Sequence, residues 1–182
     1  DGNDVVLVWG TPQVSIADAA ISEGDSGTST LNFTVTVDSP LGSSFRVTYA
    51  TADDSADSSD YTPAISTLTF AGLTSGETQA VSISLTGDEV VELDETFLVT
   101  LTNILDTAVV TFSDDQATGT ITNDDAASIS INDVSVSEGD SGTTNATFTV
   151  TLDNAVDAGV NLVVDTADNS ATTADSDYVG VS

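Results

Sequence analysis

The chain has 182 residues, of which thirty are acidic and only one, Arg46, is basic, so its formal net charge is −29. This composition excludes the clustered Lys and Arg side chains on which nucleic-acid binding depends, and it argues against binding to anionic membranes. Because His, Cys and Lys are all absent, it also excludes Ser-His-Asp and Cys-His catalysis, Schiff-base chemistry, and imidazole or thiolate metal sites.

The remaining polar chemistry is carried by oxygen atoms of carboxylates, amides, hydroxyls and backbone carbonyls. Ca²⁺ suits such ligands best, because it accepts about six to eight oxygens in a flexible geometry. A glycosidase that uses only carboxylates is the catalytic alternative, but it needs an aromatic-lined cleft, and aromatic residues make up only 5% of the chain. We therefore expect a protein that is not an enzyme.

The first unit of the chain is predicted to be all-β, with seven short strands. The first strand is expected to start at residues 14–18, ahead of the turn at 23–27, and the last strand is expected at 118–122. Between them, apolar and polar residues alternate, as in strands with one buried face. No window has a 3.6-residue apolar period, so helix should be nearly absent. The alternating apolar positions are Leu31, Phe33, Val35 and Val37; Phe45, Val47 and Tyr49; Leu68 and Phe70; Val81, Ile83 and Leu85; and Phe97, Val99 and Leu101.

A second unit repeats the start of the first. The Ser-Glu-Gly-Asp-Ser-Gly stretch around Glu23 recurs around Glu138, 115 residues later, which is about the length of one β-sandwich domain. The predicted organisation is an extension at residues 1–13, a complete sandwich at 14–125, and a partial unit at 126–182 with strands up to about the fourth. Strands of the second unit are expected at 128–133, 147–152 and 160–165.

The partial second unit would expose an apolar face and unpaired strand edges, which is not a stable arrangement by itself. Two explanations stay open: residues beyond 182 complete the unit, or another chain supplies the strands. The second explanation draws on the apolar residues 5–9, which are too few to span a membrane but resemble a last strand without its own sandwich. They would complete the unit of a neighbouring subunit and build a head-to-tail fibre.

Acidic residues cluster in connections that the strand order places together. In a sandwich of alternating strands, the connections after the first, third and fifth strands share one pole with the end of the last strand. Two carboxylates about 4 Å apart repel by roughly 4 kcal/mol at an effective dielectric near 20, so such a cluster without a cation would raise several pKa values. The acidic segments at this pole contain Glu23; Asp53, Asp54, Asp57 and Asp60; Asp88, Glu89, Glu92, Asp94 and Glu95; and Asn123, Asp124 and Asp125.

This pattern is typical of a cation site. For residues 53–57, a ligand role and a solvated loop are equally open, whereas Asp38, Asp106 and Asp153 are interpreted as turn formers. The predicted ligands are Glu23, Asp60, Asp88, Glu92, Asp124 and Asp125.

The same motifs resemble the Calx-beta domain family. The resemblance rests on the Ser-Glu-Gly turn at 22–24, on Ser59-Asp60-Tyr61, on the Glu-Leu-Asp-Glu-Thr-Phe segment at 92–97, which resembles an E-x-D-E-x-F motif, and on the acidic run at 123–125. It covers residues 14–125 as a full domain and 126–182 as a partial one.

The resemblance implies an immunoglobulin-like antiparallel β-sandwich with Ca²⁺ at the pole where one domain meets the next. Carried over by motif, the ligands are the same six acids, and Asp53, Asn123, Glu138 and Asp177 are weaker candidates. Gly87 and Asn123 stand where the family's strongest Ca²⁺ binders carry Asp, which implies fewer or weaker ions.

The expected function is therefore that of a Ca²⁺-binding structural or adhesive repeat in a large bacterial cell-surface or secreted protein. The ion would make the junction between domains rigid, and the partners would be neighbouring repeats or identical subunits. Two alternatives remain: a self-assembling extracellular filament subunit, in which a strand from one chain completes the unit of the next, and a regulatory Ca²⁺ sensor.

Overall fold

The computed structural model describes residues 10–182, which form eleven β-strands and no helix. The apolar residues 5–9, predicted to act as a donor strand, lie outside the described residues. The strands are β1 (Gln13–Ile16), β2 (Ala19–Ser22), β3 (Gly27–Val37), β4 (Phe45–Asp53), β5 (Ile65–Phe70), β6 (Glu77–Gly87), β7 (Glu95–Leu105), β8 (Thr111–Asp114), β9 (Gln116–Thr122), β10 (Ile129–Ile131) and β11 (Val150–Leu152).

The first nine strands build two sheets around one core. One sheet has the order β6-β3-β1-β8 and the other has the order β2-β9-β7-β4-β5. Neighbouring strands are antiparallel, except that β1 runs parallel to β8 and β2 runs parallel to β9. This architecture confirms the predicted all-β, immunoglobulin-like sandwich.

The first unit has nine strands where the sequence predicted seven. The predicted first strand is divided into β1 and β2, which belong to different sheets. The chain crosses between the sheets at Ala17 and Asp18, where the Asp18 carboxylate accepts the Thr118 N–H at 2.7 Å. The other additional strand, β8, was missed because Phe112 is its only apolar residue. It is separated from β9 by Asp115 alone.

The core is built from the alternating positions of both sheets. Phe33 of β3 and Phe97 of β7 meet edge to face across it, with ring centroids 5.9 Å apart. Gly119 of β9 makes room for them, because a Cβ atom there would lie 2.6 Å from the Phe97 ring. The inward side chains of β3 are buried as the pattern predicts. This packing fixes the face of each strand that carries polar residues.

The side chains of the second unit are much more exposed than those of the first. β10 and β11 pair antiparallel as a separate two-stranded sheet. The third strand expected at 160–165 does not form. In the first unit, the corresponding strand β4 pairs with β5 and β7. The described part of the second unit holds no counterpart to those two neighbours, so the segment has no partner for its backbone.

Among residues 10–182, the structure shows no helix with the length and apolar character needed to cross a membrane.

Candidate metal centre

The four acidic connections of the first unit meet at one pole, as the strand order predicts. Backbone N–H groups and carboxylates tie them together. The Gly24 N–H donates to the Asp124 carboxylate at 3.0 Å, and this bond joins the β2–β3 turn to the segment after β9. The Asn123 N–H donates to the Asp94 carboxylate at 3.2 Å, and this bond joins that segment to the β6–β7 connection.

Two groups of three carboxylates result. One contains Glu23, Asp124 and Asp125, and the other contains Asp60, Glu92 and Glu95. Within each group, one carboxylate oxygen from each residue lies within 4.8 Å of the others. Ligand oxygens about 2.3–2.6 Å from a common Ca²⁺ are separated by no more than twice that distance. The spacing in both groups therefore fits a shared Ca²⁺.

Glu23 has the most unusual environment at this pole. Its side chain is only 7% exposed, although it belongs to the most acidic part of the molecule. Burial, followed by the negative charges of Glu92 and Asp88, raises its pKa to about 7. In the folded protein without a cation, Glu23 is therefore protonated in about half of the molecules near pH 7.

Other carboxyls at the pole are perturbed in the same direction. Burial, followed by a hydrogen bond with Asp60, raises the pKa of Glu95 to about 7. Burial also raises the pKa of Glu92 and of Asp125, with further contributions from neighbouring carboxylates. In addition, Asp125 Oδ2 is buried without a hydrogen-bond partner. These shifts agree with the prediction that a crowded acidic pole raises pKa values.

No basic side chain relieves this crowding. Arg46, the single basic residue of the chain, lies at the other end of β4 and forms an ion pair with Asp106 at 2.7 Å. A bound divalent cation would supply the missing positive charge and favour the ionised form of each carboxyl.

Five of the six predicted ligands fall into the two groups. Asp88 belongs to neither: its Oδ1 accepts the Val90 N–H at 2.7 Å, while its charge contributes to the raised pKa values of Glu23 and Glu92. Whether these six residues bind a metal stays a prediction.

Glu95 was missed as a ligand candidate, although the sequence carried a signal for it. It is the first residue of β7 and stands two residues before Phe97. Because alternate residues share a face of a strand, Glu95 continues the core-facing positions Phe97, Val99 and Leu101. A carboxylate at the rim of a buried face is held close to its neighbours, unlike one on the solvent face.

Two of the weaker candidates have structural partners. Asp53 Oδ1 accepts the Tyr61 hydroxyl at 2.7 Å. The Asn123 side chain accepts the Glu92 N–H at 3.2 Å and donates to the Asp125 carbonyl at 3.1 Å, so it links two connections of the pole. Burial and the hydrogen bond to Asp53 raise the pKa of Tyr61 to about 12, which keeps its hydroxyl a donor at neutral pH.

The other weaker candidates, Glu138 and Asp177, are exposed. Neither of them joins a group of three carboxylates among the described residues.

The acidic residues that were left open as ligands or assigned to turns accept hydrogen bonds from other parts of the first unit. Asp57 Oδ1 accepts the Ser59 N–H at 2.7 Å, which is turn chemistry. Asp54 accepts the Thr96 hydroxyl at 2.8 Å. Asp38, predicted to form a local turn, instead accepts the Gln13 N–H at 2.8 Å across the sheet.

Gly87, a departure from the family pattern, has a steric cause. A Cβ atom at this position would overlap the carbonyl oxygen of Gly24 and lie 2.8 Å from that of Glu23. The end of β6 and the β2–β3 turn therefore approach too closely for any side chain.

Comparison with known proteins identifies the family and supports the fold of this chain. The Calx-beta domain family model matches residues 10–125 and again residues 123–182. The crystal structure of CBD12 from CALX1.2 superposes with a TM-score of 0.53 at 22% identity, over 62% of this chain and 45% of that one. The chain thus spans less than half of that structure.

Two single-domain structures are similar at comparable levels. The apo form of the Calx CBD1 domain has a TM-score of 0.51 at 21% identity, over 63% of this chain and 99% of that one. The Calx CBD2 domain has a TM-score of 0.51 at 17% identity, over 62% of this chain and 90% of that one. At these identities the structures support the fold. A comparison with curated protein sequences gives no match. Because the family model matches nearly the whole chain, the protein belongs to the Calx-beta domain family.

Proposed function

We propose that this chain is a non-catalytic, Ca²⁺-binding structural repeat. The observation that carries the proposal is the pair of three-carboxylate groups at the pole where β9 leads into the second unit. Their ligand spacing, their raised pKa values and the lack of a nearby basic side chain all favour a divalent cation that binds oxygen ligands.

Each carboxylate group would hold one ion. Glu23, Asp124 and Asp125 form the first candidate site, and the unpartnered Oδ2 of Asp125 is a free acceptor there. The second candidate site contains the other three carboxylates. The negative charge of Asp88 raises the pKa of Glu23 in the first site and of Glu92 in the second.

The mechanical role follows from which segments the ligands occupy. Asp124 and Asp125 lie between the end of β9 at Thr122 and the start of β10 at Ile129, whereas Glu23 belongs to the body of the first unit. An ion held by all three would tie the segment between the units to the first sandwich. It would thereby restrict motion of one repeat relative to the next.

A direct contact between the units supports this role. Val91 forms an isolated parallel bridge with Val156 of the second unit. The Val91 N–H donates to the Ala155 carbonyl at 3.0 Å, and the Asp157 N–H donates to the Val91 carbonyl at 3.1 Å. Since Glu92 is the next residue, an ion at the second site would also fix the loop that makes this contact.

An extracellular or cell-surface setting in a bacterium suits this module. Extracellular modules bind Ca²⁺ with Kd values of about 10⁻⁴–10⁻³ M, a range that tolerates the loss of the two acidic positions at Gly87 and Asn123. The neighbouring repeats of the same protein, or identical subunits, would be its partners in an adhesive or load-bearing array.

The test is thermal unfolding of the full chain in Ca²⁺ and in EGTA. At a Ca²⁺ concentration 100 times Kd, a bound ion stabilises the folded state by about 2.7 kcal/mol, a rise of roughly 5–10 °C in Tm for a domain of this size. Glu92→Gln should remove the part of the rise that the second site contributes. Glu89→Gln, in the same loop but in neither group, should retain it. An unchanged Tm on adding Ca²⁺ to the wild type would refute the proposal.

A second candidate function is assembly by strand exchange, favoured by the apolar face of the second unit. Phe148 is 54% exposed, and Val150 and Leu152 are also exposed, although their counterparts in the first unit are fully buried. A strand from another chain would cover this face and build a filament. The candidate donor is the apolar segment 5–9.

Negative-stain microscopy and size-exclusion chromatography test this assembly. Fibres formed by the full chain and lost on deletion of residues 1–9 would support strand exchange. Monomers in both preparations, or fibres that persist after the deletion, would refute this donor.

A further inference from the structure

The β4–β5 loop, residues 54–64, is held at its base by hydrogen bonds that involve none of the six predicted metal ligands. The Tyr61 hydroxyl donates to Asp53 Oδ1 at 2.7 Å. The Thr51 N–H donates to the Ala64 carbonyl at 2.9 Å, and the Ala64 N–H donates to Thr51 Oγ1 at 2.8 Å. These bonds close the loop on the end of β4.

The closed loop fixes the position of Asp60. Asp60 Oδ2 accepts the Asp57 N–H at 2.7 Å, so the carboxylate is oriented by its own loop. An Asp60 oxygen then lies within 4.8 Å of oxygens from Glu92 and Glu95. Asp60 directly precedes Tyr61, so any movement of the tyrosine shifts the carboxylate as well.

The second unit forms the same hydrogen bonds around its corresponding loop. The Tyr178 hydroxyl donates to Asp168 Oδ1 at 2.7 Å. The Thr166 N–H donates to the Val181 carbonyl at 3.0 Å, and the Val181 N–H donates to Thr166 Oγ1 at 2.8 Å. The two ends of the loop are 15 residues apart here and 13 in the first unit. The same set of hydrogen bonds therefore forms around a longer loop.

The orientation of the acid is also repeated. Asp177 Oδ2 accepts the Thr172 N–H at 3.0 Å, as Asp60 Oδ2 accepts the Asp57 N–H. Position 57 changes from Asp to Thr between the units, yet the backbone bond remains. The element common to both loops is thus an aspartate oriented by a backbone N–H and followed by a tyrosine that donates to an earlier aspartate.

The surroundings of the two tyrosines differ greatly. Tyr61 is 1% exposed and stacks on Phe97 with ring centroids 4.3 Å apart. Tyr178 is partly exposed and has no such aromatic partner among the described residues. Because the same hydrogen bonds form around Tyr178 without a covering aromatic ring, they are set by the loop itself and not by core packing.

We propose that Tyr61 and Asp53 are positioning residues for the ion site, because their hydrogen bond holds the β4–β5 loop so that Asp60 is in place before Ca²⁺ arrives. The inference rests on the proposed Ca²⁺ binding and assigns a role to two residues that lie outside both groups of three carboxylates. A loop ordered in advance loses less conformational entropy on binding, so the benefit appears as affinity.

The central experiment is calorimetric titration of the full chain with Ca²⁺. Tyr61→Phe removes only the hydroxyl, and it should raise Kd by about three- to tenfold. Tyr178→Phe makes the matched change in the second unit and should leave Kd unchanged. Asp53→Ala should weaken binding as much as Tyr61→Phe, and the double variant should be no weaker than either single variant.

Asp53→Asn separates positioning from direct ligation. Its amide oxygen still accepts the Tyr61 hydroxyl, so Kd should stay near the wild-type value, whereas loss of a charged ligand would weaken binding. The Tm of the metal-free variants gives an independent measure of structural damage. A lowered metal-free Tm with an unchanged Kd in Tyr61→Phe and Asp53→Ala would overturn the positioning role, and so would weak binding by Asp53→Asn.

Different results would contradict the proposed Ca²⁺ binding and the proposed positioning role. A wild type without any Ca²⁺ binding overturns both the proposed function and the positioning role. Normal wild-type binding that neither Tyr61→Phe nor Asp53→Ala weakens overturns the positioning role alone.

Discussion

The two units of this chain share sequence and hydrogen bonding but differ in burial. Asp38 accepts the Gln13 N–H at 2.8 Å in the first unit, and Asp153 accepts the Ser128 N–H at 2.6 Å in the second. Phe33, however, is fully buried, whereas its counterpart Phe148 is 54% exposed. Hydrogen bonds within one unit are thus encoded by each repeat, while burial depends on the strands that cover it.

The largest expected difference between the units concerns these two phenylalanines. Phe33→Ala should lower the free energy of unfolding by about 3–5 kcal/mol, because it leaves a cavity against Phe97 and Gly119. Phe148→Ala removes an exposed ring and should change it by less than about 0.5 kcal/mol. Urea denaturation of the metal-free protein measures both. Equal effects would show that the second unit has a core of its own.

A smaller difference is expected in the pH dependence of the metal-free protein. The pKa of Glu23 is about 7 in the folded state, above its ordinary value near 4.5, so the folded state binds this proton more tightly. The resulting stabilisation is fully present below about pH 4.5 and is lost as the pH rises through about 7. Glu95 contributes in the same direction. Tm should therefore fall by several degrees between pH 5 and pH 8.

Glu23→Gln should make this fall shallower, because the amide does not titrate, and Glu138→Gln in the exposed copy should leave it unchanged. Saturating Ca²⁺ should reduce or reverse the fall, since the ion binds the ionised carboxylates. Differential scanning calorimetry across the pH range tests all of these. A Tm that rises with pH in the metal-free wild type would contradict the assigned pKa of Glu23.

The smallest expected effect concerns the aspartate that directly follows β3 in the first unit and β11 in the second. Asp38→Ala should lower the free energy of unfolding by about 0.5–1.5 kcal/mol, the net worth of one hydrogen bond. Asp153→Ala should leave the main unfolding transition unchanged, because the β10–β11 sheet lies outside the packed core. Thermal scans of the two variants, with Asp38→Asn as the variant that keeps an acceptor, make the comparison.

Much of the fold could be predicted because it depends on local patterns. Alternating residues such as Phe33 and Val35 identified the buried face of each central strand. The division of the first strand into β1 and β2 could not be predicted, since it depends on pairing with β3 in one sheet and with β9 in the other. The missing third strand of the second unit has a related cause: residues 160–165 alternate little and lack neighbours to pair with.

The candidate metal site also has features that the sequence could predict and others that it could not. The order of strands was sufficient to bring Glu23, Asp60 and Asp124 to one pole. It did not place Glu95, whose proximity to Asp60 depends on the start of β7 lying beside the β4–β5 loop. It also left the role of Asp53 open, because a hydrogen bond to Tyr61 across eight residues becomes visible only in three dimensions.

The sequence by itself determined the chemistry and the connectivity of this protein: an all-β repeat with oxygen ligands and almost no positive charge. Tertiary structure decided which acids are buried, which share a site and which merely hold a loop. The physical reason is the distance along the chain over which each interaction acts. Strand pattern and turn hydrogen bonds act between residues close in the chain, whereas burial and charge crowding depend on every segment that folds into the same space.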